Sequence, residues 1–299
     1  MKRADGARPL QPAAVEALQA IVQHRLLSTT QLNTIHGADS SERRTQRRLR
    51  QLEARGLVAH VRAAGALKLW FATSRGAELA RASGALLDPP RVLTPDEASG
   101  PLQAHTLAVN DAGVAFLAAA RERGDEFGPL SWRHEVAHPL GRGRRRRQVI
   151  ADALITYLIS DGQDLSLEYR LVELDRATLS VDRLATKLAR YADLYRTAND
   201  DGEPVWRAWY PTFPAVLVAL AGQERRLLEH RRQTVIALCR SDPQLTRTSE
   251  VALSICLLED LTTEGPFAPI FRDSTRPDQS VDWLGEPAAA TSGRDRRTA

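Results

Sequence analysis

The segment Leu165–Asp175, L-S-L-E-Y-R-L-V-E-L-D, closes on two acids, Glu173 and Asp175, and Lys187 follows twelve residues after the second. A run of this kind reads as a strand, on which residues i and i+2 share a face, so the two carboxylates project together from its end. The next segment, 181–197, has helical periodicity with Leu184, Leu188, Tyr191 and Tyr195 on its apolar stripe. Lys187 lies on the flank of that stripe, which leans it toward the sheet edge where the acids emerge. Asp152 sits in the preceding apolar run, 147–159. Antiparallel neighbours about 4.8 Å apart would bring it beside the pair. Asp152, Glu173 and Asp175 thus form a candidate oxygen-ligand set for Mg²⁺ or Mn²⁺. Lys187 would stabilise developing charge or orient a water. The plain alternative is a surface ion-pair cluster of Glu173, Asp175 and Arg176.

The pattern along the chain predicts two domains and a tail. Helical periodicity over 12–25 is followed by a short helix capped by Ser28 or Thr29 and ended at Gly37. A third helix begins after Asp39 or Ser40 and stops at Gly56. Two β-like runs, 57–61 and 67–72, then read as a hairpin, and a further helix follows. Helix, helix, helix, hairpin is the order of a winged helix-turn-helix, placed at 12–82. Residues 83–101 are rich in Pro, Gly and Ser and read as a linker. Over 102–272 a long helix precedes runs at 131–138, 147–159 and 165–175; helices near 181–197 and 223–239 alternate with apolar runs at 214–221 and 251–258. That order implies an α/β (α+β) domain with a mixed sheet flanked by helices. Residues 273–299 carry little apolar content and are expected to be a disordered tail.

Charge is clustered rather than large. The chain carries a net charge of +4, but residues 41–55 hold six Arg against two Glu, and 142–147 hold five Arg and no acid. Such clusters favour a polyanionic partner, with a solvated charged surface as the bland reading. In a helix-turn-helix the second motif helix enters the major groove. Here that helix is 41–55. Leu49 and Leu52 face the core, while Arg43, Arg44, Arg47, Arg48 and Arg50 occupy much of the rest. Gln46 and Gln51 suit adenine edges as arginine suits guanine. Arg62 at the hairpin tip and Arg144, Arg145, Arg146 and Arg147 in the second cluster are expected on DNA backbone. Lysine is scarce: only Lys2, Lys68 and Lys187 occur.

The second half resembles the PD-(D/E)XK nuclease superfamily in element order and acid placement. The chain from about 13 to 272 is similar to the actinobacterial replication-relaxation family, on W-R-H-E, E-L-D-R-A-T, K-L-A-R-Y and F-P-A-V-L-V-A-L. That resemblance implies a winged helix joined to a nuclease-like domain, in proteins associated with plasmid replication and DNA relaxation. The superfamily pattern makes Asp152 the first metal acid and Glu173 the second. Its lysine position holds Asp175, so Lys187 would supply that group from the helix.

Other chemistry is limited. His134-Glu135-Val136-Ala137-His138 matches H-E-x-x-H, yet Pro139 follows at once, and on a strand the two histidines stand about 13 Å apart. No phosphate-binding G-x-x-x-x-G-K-[ST] loop occurs. Cys239 and Cys256 lie in apolar settings, which suits a reducing compartment. The N-terminal stretch lacks the apolar core of a signal peptide, and no run is long enough to span a membrane, so a cytoplasmic location is expected. The expectation is a DNA-binding accessory to plasmid or mobile-element replication. Double-stranded DNA is its partner, and a relaxase, a replication initiator or a second copy of the chain are candidate further partners. The alternatives are a Mg²⁺- or Mn²⁺-dependent endonuclease, with no cofactor otherwise, and a winged-helix transcriptional regulator.

Overall fold

A computed structural model describes residues 9–37, 41–87, 91–140, 147–162 and 164–287. The chain is mixed α/β. A small antiparallel sheet has the order β1-β3-β2, and a seven-stranded mixed sheet has the order β10-β9-β8-β7-β6-β5-β4. Its first elements are α1 (Pro12–His24), β1 (Leu27–Ser28), α2 (Thr29–His36), α3 (Glu42–Ala54), β2 (Val58–Arg62), β3 (Lys68–Ala72) and α4 (Ser74–Ala82). Then come α5 (Pro95–Ala98), α6 (Gln103–Arg123), β4 (Trp132–Leu140), β5 (Arg147–Asp161) and β6 (Asp164–Asp175). The remainder is α7 (Val181–Arg196), β7 (Ala215–Leu220), α8 (Arg225–Ser241), α9 (Pro243–Thr246), β8 (Leu253–Leu257), α10 (Leu258–Glu264), β9 (Phe271–Asp273) and β10 (Ser280–Val281).

Two compact units divide this chain, and neither boundary falls in the expected linker. One comprises residues 1–137 with 150–169, the other 138–149 with 170–299, so β4, β5 and β6 each contribute to both. In the first unit Leu18, Ile21, Leu32, Leu49 and Leu52 form a core closed by Leu69, Trp70 and Phe71 of β3. Ser28 caps α2 in a reciprocal box: its hydroxyl accepts from the Gln31 amide, and its own amide donates to the Gln31 side chain, both at 3.0 Å. The Gln31 side chain then donates to the Leu107 carbonyl and to Asp111 on α6 at 3.0 and 2.7 Å.

Helix α6, assigned by pattern to the second domain, is therefore built into the first unit. Its Asn110 is fully buried and donates to the Leu26 carbonyl at 2.8 Å. Arg121 caps the end of α2 by donating to the carbonyls of Thr34 and Ile35. The expected linker also packs here, since Ala98 of α5 is fully buried against Leu26, Leu69 and Phe71. Its Pro, Gly and Ser content marks turns, but one small apolar residue suffices to anchor it.

In the second unit β6, β7 and β8 run parallel. Their registers place Val216, Leu217, Val218, Ile255 and Leu257 in the interior, as strands covered on both faces require. Residues 273–287, which composition assigns to the tail, are packed instead. They carry β10, and Trp283 is 2% exposed with the Arg170 guanidinium 4.9 Å from its ring centre. A single buried tryptophan outweighs the polar composition around it. Residues 288–299 lie outside the described residues.

Candidate functional site

The acids at the end of β6 are buried and neutralised within the second unit. Glu173 is 1% exposed and Asp175 3%. They stand opposite Val218 and Leu220 of β7, at the carboxyl end of the parallel strands. That edge is where open α/β sheets place ligands. Helix α7 is capped by Ser180, whose hydroxyl accepts from the Arg183 amide, and it buries Leu184, Leu188 and Tyr191. Lys187 and Tyr191 are four residues apart and so share a face. Lys187 Nζ ion-pairs with Glu173 Oε2, and the Tyr191 hydroxyl donates to Glu173 Oε1. Asp175 Oδ2 accepts from Arg231 Nε of α8 at 2.5 Å, and the same guanidinium donates to the Leu179 carbonyl at 2.7 Å.

Lys187 thus reaches the acid it was expected to approach. Pattern reasoning missed the other two contacts. Tyr191 was legible only as an apolar-stripe residue, and its hydroxyl was the available clue. Arg231 lies 56 residues from Asp175, and no local signal marks it. Asp152 belongs to the first unit, on β5, where its carboxylate is 3.7 Å from His105 Nε2 of α6.

The donor chemistry around Glu173 and Asp175 does not favour a divalent cation. Each Glu173 oxygen already has a donor, and an ammonium and a guanidinium hold the two carboxylates. A cation would have to compete with Lys187 for the same oxygen. Among the described residues, no three His, Cys, Asp or Glu side chains assemble as a metal-holding group.

The H-E-x-x-H residues lie on β4, not on a helix. His134 meets Asn110 Oδ1 at 2.9 Å within the first unit. His138 meets the Tyr210 hydroxyl at 2.7 Å within the second.

On α3 the arginine arrangement follows from capping and burial. The helix spans Glu42–Ala54 with Ser41 as its cap, the Ser41 hydroxyl accepting from the Arg44 amide at 3.4 Å. Thr45, Leu49 and Leu52 are buried, which turns Arg43, Arg44, Arg47, Arg50 and Gln51 outward. These five line a basic concavity of about 730 Å³. Among the described residues Arg43, Arg47 and Arg50 form no ion pair. Gln46 is exposed and donates to Glu42 at 3.0 Å.

Arg48 departs from the group. It is half-buried, and its Nη1 is enclosed without a hydrogen-bond partner among the described residues. Burial is the main cause lowering its pKa, followed by a raising contribution from Glu16 and lowering ones from Arg47 and Arg44. Arg62 is exposed at the end of β2, and Arg147 is exposed at the start of β5. Arg144, Arg145 and Arg146 lie outside the described residues.

The replication-relaxation family model matches residues 18–204, more than half of the 299-residue chain. The chain belongs to the replication-relaxation family. Its matched stretch takes in the α3 arginines, Asp152, the β6 acids and Lys187, but not Arg231 of α8. Membership assigns this replication-relaxation protein broadly to replication and relaxation. No curated protein and no solved structure matches the chain. Among the described residues, no helix of this family member is long and apolar enough to cross a membrane.

Proposed function

We propose that this replication-relaxation protein binds double-stranded DNA through α3, as an accessory to plasmid or mobile-element replication in the cytoplasm. The observation that carries the reading is the outward face of α3. Arg43, Arg44, Arg47, Arg50 and Gln51 share it, and among the described residues Arg43, Arg47 and Arg50 have no carboxylate to neutralise them. The first unit has the helix, helix, helix, hairpin order of a winged helix-turn-helix, in which the third helix enters the major groove. Arginine pairs with phosphate and with guanine edges, and Gln51 adds an adenine-type contact. Arg48 is set apart from this role by its burial. A relaxase or replication initiator acting at the same DNA is the expected company.

The test is DNA affinity as a function of salt for Arg43→Ala combined with Arg47→Ala. Each lost phosphate contact lowers the slope of log affinity against log salt by about 0.9, so the pair should flatten it by about 1.8. An unchanged slope and affinity would remove α3 from the interface.

A further inference from the structure

A second group of arginines lies far along the chain from α3. On α8, Arg232, Ile236 and Arg240 recur every fourth residue and so share one helix face. The two arginines are eight residues apart, about 12 Å along the axis at ~1.5 Å per residue. Arg272 of β9 lines the same concavity of about 430 Å³, and Ile236 supplies part of an apolar wall. All of these residues belong to the second unit.

The charges there are not balanced. Among the described residues none of the three guanidiniums is ion-paired. The carboxylates of Glu229 and Asp260, which exert a field on Arg232, are engaged by Arg225 at 3.2 and 2.6 Å. Asp273 is 3.6 Å from Arg276. Among the described residues Asp278 is the one acid in the wall, and it offers Arg272 its backbone carbonyl at 3.4 Å. Burial, and then the like charge of Arg272, push the Arg232 guanidinium below its ordinary range. Holding Arg232 and Arg272 together while both are part-buried opposes folding, and an anion placed between them reverses the sign of that interaction.

We infer that the Arg232–Arg240–Arg272 concavity is a second phosphate-binding site, taking the oxyanions of a nucleic-acid backbone or of a small phosphoester. Guanidinium forks match phosphate oxygens in pairs, which an ammonium cannot do. The apolar wall at Ile236 would raise the strength of those contacts by excluding water. Two arginines spaced along about 12 Å of helix favour a run of phosphates over a single one. This site stands apart from the α3 reading, because it shares no residue with it.

The test uses the full chain and the variant Arg232→Gln with Arg240→Gln, in two arms. In the first, affinity for a short duplex is measured from 50 to 200 mM salt. Loss of two phosphate contacts lowers the slope by about 1.8, so wild type should lose about tenfold more affinity than the variant over that range. In the second, thermal unfolding is followed in inorganic pyrophosphate at matched ionic strength. A rise in Tm for wild type but not for the variant marks a small phosphoester as a source. Either result supports the site. Equal salt slopes together with equal pyrophosphate responses would overturn it. Replacing Arg232 relieves its repulsion with Arg272 and Arg240 is exposed, so the double variant is expected to fold, and circular dichroism checks this. A null result for the α3 arginines leaves the pyrophosphate arm standing, so the two failures are distinguishable.

Discussion

Replacing Lys187 by Met keeps the aliphatic stem and removes the ammonium from a carboxylate that is 1% exposed. Breaking a buried ion pair from one side costs about 3–5 kcal/mol, because the remaining charge is left uncompensated. The Lys187 side chain is 31% exposed, so water already screens part of the interaction and the cost falls to about 2–3 kcal/mol. The Tyr191 hydroxyl stays on Glu173 and keeps the loss from reaching the upper limit. A kcal/mol corresponds to about 2–4 °C in a domain of 150–250 residues, so Tm should drop by about 5–10 °C. The assay is thermal unfolding of wild type, Lys187→Met, Glu173→Gln and the double variant as a cycle. Glu173→Gln with Lys187→Met should be more stable than the sum of the single costs predicts, with a coupling of about 2 kcal/mol. If Lys187→Met lies within about 0.5 kcal/mol of wild type, the reasoning about a desolvated, neutralised carboxylate fails.

Further outcomes concern other parts of the molecule. His24 is buried, stacks on Trp132 at 3.9 Å and contacts the Pro129 carbonyl through Nε2, while its Nδ1 has no hydrogen-bond partner among the described residues. Burial depresses its pKa from 6.5 to about 3, so the unfolded chain takes up the proton first. The associated stability is present above pH 6.5 and is lost as pH falls toward 3, by about 2 kcal/mol at pH 5. His24→Phe should flatten that acid limb in urea titrations at pH 4–7. An unchanged limb would place the proton uptake elsewhere. Gly113→Ala would bring a methyl 2.4 Å from the Trp132 ring, costing about 1–3 kcal/mol or more in thermal unfolding. Gly222 has φ +85°, and a Cβ there would approach the Arg176 carbonyl oxygen to 2.6 Å. Gly222→Ala should therefore cost at least about 1–2 kcal/mol, read as a lower urea midpoint.

Much of the architecture is legible locally because period and punctuation are local properties. The acids of β6, Lys187 on α7 and the outward arginines of α3 all follow from strand or helix periodicity. Ser28 and Gly56 mark helix ends for the same reason, since capping involves neighbours three or four residues away. Arg48 shows the limit of that reasoning. Its place on α3 is set by the sequence, but its burial depends on what packs behind the helix.

By itself the sequence determined the mixed α/β class, the two arginine-rich segments and the placement of acids and lysine on consecutive elements. Tertiary structure alone decided which charges meet. Arg231 reaches Asp175 across 56 residues, and Arg225 engages Asp260 across 35, so that among the described residues Arg232 has no carboxylate in an ion pair with it. It also decided that α6 and residue Ala98 belong with the first unit and that Trp283 anchors residues assigned to the tail. The reason is physical: burial and ion pairing depend on which surfaces are brought into contact, and a residue's immediate neighbours in the chain do not contain that information.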